Sequence, residues 1–297
     1  MGEALALLAL FLFAANVFTV RLASPLLGQQ LGFLVALVAN VVVAGLLFGG
    51  RLLLSDARFA LDWYAVLLFG IAGFFANYLG RRGFFLSIDS LGPSRASAVQ
   101  ATVPLFGVVL AWVFLGEVLA AADAVAILLV ILGLALTSRS TAAAAPGGPP
   151  TRVVVLAVGV ALISAASYSV GAVFRSAALD DWQEPVFGGL VGAAVGTVAY
   201  IVLHGPLRGA LSALRATRPL GIGLWLGSGA LTVSAQIAMI AAMHHLPVGP
   251  VLAISSALPV VVIPVSLLLL RRTETVGWTT VLGAGAVVCG VGVLLLR

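Results

Sequence analysis

Gly73, Asn77 and Arg81 recur at every fourth position of one apolar stretch, a spacing that places them on one face of a helix. A guanidinium near the centre of a membrane helix costs roughly 2.5–3.5 kcal/mol on insertion scales. Arg81 stands about seven residues before the end of its stretch, roughly 10 Å along the axis at about 1.5 Å per residue. That cost predicts an interior, wet or paired location, where the cation can meet a solute. The alternative is that Arg81 and Arg82 snorkel to the headgroups. A shift of 155 residues carries the trio onto Ser228, Thr232 and Gln236, again one face. A polar stripe at the same place in both halves predicts a shared cavity, with Arg81, Asn77, Thr232 and Gln236 as substrate-binding residues.

Further candidates lie on neighbouring apolar stretches. Ser164, Tyr168 and Arg175 share a face, with Gly171 between them; Asn16, Thr19 and Asn40 are polar positions nearer the start. Gln100 and Ser255 each stand one turn before a proline, Pro104 and Pro259. Those prolines remove a backbone hydrogen bond and bend or open the helix, exposing carbonyls that can serve as ligands. For any single Ser, Thr or Asn the alternative is a helix-to-helix hydrogen bond. The carboxylates are placed differently: Asp89, Glu117, Asp123 and Glu274 sit near helix ends, and Asp180, Asp181 and Glu184 fill one loop. A proton-driven cation exporter needs a buried carboxylate to exchange proton for cation. Here the deep charge is arginine, which favours an anionic or zwitterionic substrate such as an amino acid or small carboxylate.

His244 and His245 fall in a tight turn, and an adjacent pair does not share a helix face, so an interfacial structural role is expected. Cys289 is the only cysteine, which excludes an intramolecular disulfide and supplies no metal-ligand spacing. Gly188, Gly192 and Gly196 form a double GxxxG face suited to close helix packing. Its partner is either internal or a second subunit, giving a homodimer. No metal site and no cofactor are expected.

The elements that position these residues are dictated by composition. The chain is 62% hydrophobic and 8% charged, against roughly 25% charged in a soluble domain. Most of its surface therefore meets lipid, and about 20 apolar helical residues span a hydrocarbon core. All fifteen basic residues are arginine; without lysine, a GxxxxGK[ST] phosphate loop and lysine Schiff-base chemistry are excluded. Basic residues are scattered, so no nucleic-acid partner is expected. Hydropathy predicts ten helices: 4–20, 29–49, 63–88, 94–115, 120–136, 153–173, 185–203, 220–243, 248–270 and 277–296. The first run lacks a basic leader region and is read as a span rather than a signal peptide.

A Pro- and Gly-rich linker, SRSTAAAAPGGPPTR at 138–152, separates residues 1–137 from 153–297. Five spans lie on each side. At a shift of 155, Leu91, Ala98 and Pro104 fall on Leu246, Ala253 and Pro259; at 157, Glu117 and Gly133 fall on Glu274 and Gly290; at 154, Arg21 falls on Arg175. Repeats with an odd number of spans enter the membrane in opposite directions, a recurrent basis of alternating access. The expected fold class is an all-α integral membrane protein of ten transmembrane helices in two inverted five-helix repeats.

The stretch LGPSRASAVQATVPLFGVVLAWVFLGEVLAAADAVAILLVILGLAL (91–136) resembles the EamA-type domain of the drug/metabolite transporter superfamily. The features that carry it are a small-residue entry, a mid-helix proline, a closing Gly-Glu pair and a glycine in the next span. The second copy, LPVGPVLAISSALPVVVIPVSLLLLRRTETVGW, repeats the layout with its pair degraded to Thr273–Glu274. The resemblance implies a central cavity lined by spans 1, 3, 4, 6, 8 and 9, and a multi-pass protein of the plasma or inner membrane. It implies secondary transport of small metabolites, most often efflux of amino acids. Small multidrug relatives use a glutamate within the first helix; Glu3 lies too near the start to match it. The family also implies cytoplasmic termini. That orientation places only Arg51, Arg58, Arg175 and Arg297 on the cytoplasmic side, whereas the positive-inside rule favours the reverse, and both stay open.

Other functions are weighed beside this one. An importer or exchanger of another metabolite, nucleotide sugars included, would use the same fold. A non-transporting receptor or scaffold would hold no solute-accessible cavity. An intramembrane protease needs serine and histidine on facing helices, and Ser228 lacks the GxSG pattern, so no enzyme is expected.

Overall fold

The computed structural model describes residues 1–54, 59–115, 151–204, 210–246, 248–269 and 278–295, with isolated positions between 125 and 136. Among them, regular structure is all helical: α1 (Gly2–Ala23), α2 (Gln29–Leu54), α3 (Trp63–Leu91), α4 (Pro93–Gln100), α5 (Val103–Leu115), α6 (Thr151–Asp181), α7 (Pro185–His204), α8 (Ala210–Ala216), α9 (Pro219–Met243), α10 (Val248–Ser256), α11 (Leu258–Leu269) and α12 (Trp278–Leu295). Among these residues, six helices are long and apolar enough to cross a membrane: α1, α2, α3, Arg152–Leu179 of α6, α7 and α9. The expected span at 120–136 and most of the linker lie outside the described residues, as do Glu117, Asp123 and Glu274.

Burial is distributed as lipid demands. Leu46, Val155 and Leu203 point outward, whereas Asn40, Ser164, Ser228 and two arginines are buried. Lipid offers polar groups no partner, so they turn inward to one another.

Local chemistry sets the boundaries. Asp62 caps α3, accepting hydrogen bonds from the Tyr64 and Ala65 backbone N–H groups at 2.8 and 3.1 Å. Gly92 ends α3 in the left-handed region, at φ 83°, where an L side chain is strained. Pro93 then opens α4, its missing N–H costing nothing at a helix start. Two expected spans are each divided into a pair of helices, α4–α5 and α10–α11, with Pro104 and Pro259 at the second residue of the later helix. Neither proline can donate to the carbonyl four residues back, which belongs to Gln100 or Ser255.

Two helices, α6 and α3, depart from the hydropathy reading in ways that move candidate residues. α6 continues eight residues past the expected end at 173, so Asp180 and Asp181 close a helix instead of filling a loop. The polar residues from Arg175 onward lower the hydropathy without breaking the helix. Within α3, Phe74–Gly80 is π-helical. Its i→i+5 bonding adds residues to the turn, and each added residue rotates the remainder of the helix by about 100°. Gly73 and Asn77 both face α7, whereas Arg81 points towards Ser228 and Phe33, so the trio does not share the one face that four-residue spacing predicts.

α1 packs on α9, and α3 packs on α6 and α7. The glycine face of α7 meets α3 of the same chain: a Cβ on Gly188 would strike Phe69, and one on Gly196 would lie 2.8 Å from the Asn77 Cβ. At one end of the bundle, Arg51 of α2 pairs with Glu184 at 2.6 Å, beside packed rings of Phe48, Phe59, Trp182 and Phe187. At the other end, Phe33 packs edge-on against Phe85 and Tyr200, and the Trp225 indole donates to the Leu27 carbonyl at 2.9 Å.

A Cβ on Gly73 would collide with the backbone of Gly192, whereas one on Gly49 would meet nothing within 4 Å. Gly73→Ala is expected to lower stability in detergent by roughly 1–3 kcal/mol, while Gly49→Ala lowers it not at all. Thermal unfolding of the two purified variants checks this; equal midpoints would mean that α3 and α7 do not touch there.

Candidate functional site

A partly open cavity lies between α1, α3, α4–α5, α6, α9 and α10–α11. Asn16, Gln100, Tyr168, Thr232, Gln236 and Ser255 line it together with Arg175. Phe13, Phe84, Val103, Met239, Leu252 and Leu258 supply the apolar remainder. The helices bordering it correspond to expected spans 1, 3, 4, 6, 8 and 9.

Both helix breaks border this space. Gln100 ends α4 and Val103 begins α5, while Ser255 lies at the end of α10 and Leu258 begins α11. The prolines thus leave the Gln100 and Ser255 carbonyls without their helical donors beside the cavity.

Arg175 is the charged group among the described lining residues. It is 2% exposed, and its Nη2 donates to Gln236 Oε1 at 2.8 Å and Asn77 Oδ1 at 3.3 Å. Gln236 comes from α9, Asn77 from the π segment and Arg175 from α6, so the group ties together both halves of the sequence. Asn77 stands behind Arg175 and does not line the cavity.

Arg81 is placed otherwise than its spacing predicts. It is fully buried, off the cavity, with its guanidinium carbon 5.1 Å from the Phe85 ring centroid and 5.7 Å from that of Phe33. Nη2 donates to the Ser228 carbonyl at 3.4 Å, whereas Nε and Nη1 have no partner among the described residues. The π segment explains the difference by rotating Arg81 away from Asn77. Neither snorkelling nor contact with the cavity describes it.

Several hydroxyls serve the helices. Thr232 donates to the Ser228 carbonyl and Ser255 to the Val251 carbonyl, both at 2.8 Å within their own helix. Ser228 donates to Asn16 Oδ1 at 2.6 Å, joining α9 to α1. Ser164 donates to the Gly80 carbonyl at 2.6 Å and reaches Gln100 Oε1 at 3.4 Å. Ser169 donates at 2.6 Å to the Val103 carbonyl, holding the start of α5. Thr19 bonds within its own helix, and Asn40 is buried away from the cavity with neither amide atom partnered among the described residues. His244 and His245 are exposed beyond α9, and among the described residues no group of three or more His, Cys, Asp or Glu could hold a metal.

Arg175 was readable as a face-mate of Tyr168, seven residues earlier, yet nothing in the sequence ranks it above Arg81. Apolar lining residues such as Phe84 and Met239 carry no signal in so apolar a chain.

Residues 1–139 match the model of the EamA-like transporter family. No curated protein matches the chain. A solved structure described only as "Crystal structure of protein" is similar over 99% of this chain and 96% of its own, with a TM-score of 0.62 and 18% identity. That likeness concerns the fold alone. The family match over residues 1–139 and the six apolar helices support a multi-pass membrane protein.

Two aromatic faces and one long hydrogen bond return less to Arg81 than burial removes: cation–π contacts are worth about 2 kcal/mol when desolvated, against several kcal/mol for a buried ion. Arg81→Met is therefore expected to raise stability by about 1 kcal/mol or more. Thermal unfolding measures it, and a clear drop would show that the rings and the Ser228 carbonyl outweigh desolvation.

Proposed function

We propose that this chain, an EamA-type transporter of the drug/metabolite transporter superfamily by its residues 1–139, is a secondary transporter that moves small zwitterionic or anionic metabolites by alternating access. The observation that carries the reading is the cavity, to which both halves contribute polar side chains and a broken helix. Amino acids are the first compounds to test, and the outward direction and the cell membrane as location come from the resemblance.

Ten helices in two inverted repeats, 1–137 and 153–297, are part of the same proposal. α1 packs on α9 and α6 packs on α3, the reciprocal pairing of spans 1 with 8 and 6 with 3 that a pseudo-two-fold axis generates. α3 and α6 run antiparallel, since Gly83 faces Ser164 while Gly171 faces Ala76. The third span of one repeat and the first span of its inverted copy run in opposite directions.

Alternating access requires each end to open in turn. The Arg51–Glu184 pair with its aromatic packing, and the Phe33–Phe85–Tyr200–Trp225 group opposite, are the two sets of contacts that separate. Substrate enters against Arg175, Tyr168 and Gln236.

The test is efflux of preloaded labelled amino acids and small carboxylates from proteoliposomes, with and without a proton gradient. Saturable efflux is expected, and Tyr168→Leu should reduce it at least about tenfold, a loss of roughly 1.4 kcal/mol. Correctly inserted protein that passes none of these compounds would remove the transport reading and favour a scaffold.

A further inference from the structure

The hydrogen-bonding groups of the cavity are out of balance. Arg175 uses Nη2 on the two amide oxygens, and its Nη1 has no partner among the described residues. A guanidinium only donates, so the oxygens of Asn77 and Gln236 must face it, which turns both amide nitrogens elsewhere. Those nitrogens, Asn77 Nδ2 and Gln236 Nε2, are likewise unpartnered. Three buried donors thus stand open in one cluster, two of them on residues that line the cavity.

On the acceptor side, Asn16 Oδ1 takes the Ser228 proton, while the Ser164 hydroxyl, 3.4 Å from Gln100 Oε1, gives its one proton to the Gly80 carbonyl at 2.6 Å. Among the described residues no aspartate or glutamate lines the cavity, so the Arg175 charge has no counter-ion from them. Around the donors the walls are apolar, with Phe13, Phe84, Met239 and Leu252 among them.

We infer that Arg175 and Gln236 receive the carboxylate of a monoanionic substrate with an apolar body, and that the cavity selects against an accompanying ammonium group. A carboxylate only accepts, and its two oxygens can satisfy Arg175 Nη1 and Gln236 Nε2. It also neutralises a buried cation that has no carboxylate beside it among the described lining residues. An ammonium brings more donors to a site with donors to spare, and sheds its hydration beside a like charge. Asn77 is a positioning residue, fixing Arg175 from behind. The inference rests on the transporter reading in taking this cavity as the substrate's place, and narrows its substrate class to apolar monocarboxylates.

Isothermal titration of the purified full chain in detergent with 3-phenylpropionate, phenylalanine and phenethylamine tests this, because the three share a phenyl-bearing chain and differ in charged groups. 3-Phenylpropionate is expected to bind at least about tenfold more tightly than phenylalanine, the span of one charged hydrogen bond, with no binding of phenethylamine. Arg175→Gln should weaken it by a similar factor. Gln236→Glu gives Arg175 a carboxylate of its own, so it should abolish binding while keeping the thermal midpoint at or above that of the parent. Phenylalanine binding as tightly, no binding of 3-phenylpropionate, or binding undiminished in Gln236→Glu would each overturn the inference. Equilibrium binding needs no gradient, so failure here leaves saturable flux of other solutes intact, and intact binding without flux counts against transport alone.

Discussion

In an apolar surrounding every backbone N–H and C=O must find a partner within the protein, and the architecture is organised around the two places where a proline withholds the helical one. Pro104 and Pro259 withhold donors from Gln100 and Ser255, and a carbonyl left open towards lipid would cost several kcal/mol. Both breaks are turned inward, where a cavity exists to receive them. Neighbouring side chains hold the loosened ends: Thr102 donates to the Val99 carbonyl at 2.7 Å and Ser169 to that of Val103 at 2.6 Å. The cavity and the helix breaks are therefore one feature, since neither is tolerable without the other.

The two buried arginines extend the argument from backbone to side chain. Neither pairs with a carboxylate among the described residues, and each is surrounded differently. Arg175 has amide oxygens and an opening; Arg81 has rings and a single carbonyl. Stability alone does not account for either, because an apolar side chain of similar volume would avoid desolvation altogether. The π-helical stretch carries Asn77 and ends just before Arg81, and the two side chains leave α3 in different directions, Asn77 towards α6 and Arg81 towards α2 and α9. Segments of this kind are frequent at functional sites.

Much of this was legible in the residues. An 8% charged composition already requires membrane helices, and the prolines mark both breaks to within a few residues. Tyr168, Thr232 and Gln236 from their helix faces, Gln100 and Ser255 from their place before the prolines, and Asn16 as a polar position in the first span border the cavity. Arg81 and Asn77 do not, because four-residue spacing assumes an unbroken α-helix, and nothing in FFANYLG announces a π turn. The pairing of Arg175 with Gln236 and Asn77 spans three helices and is a tertiary fact. The glycine face of α7 was equally visible, but a GxxxG pattern does not say which helix fills it; Phe69, Gly73 and Asn77 of α3 do.

The absence of a carboxylate from the described cavity lining has an electrical consequence. On the proposed transport cycle, the empty protein reorients with an uncompensated Arg175 charge at its cavity, whereas the protein loaded with a monoanion does not. A membrane potential acts on moving charge at about 2.3 kcal/mol per elementary charge per 100 mV. Voltage would then bear chiefly on the return of the unloaded protein, so that the membrane sets the pace of the cycle through the step in which nothing is transported.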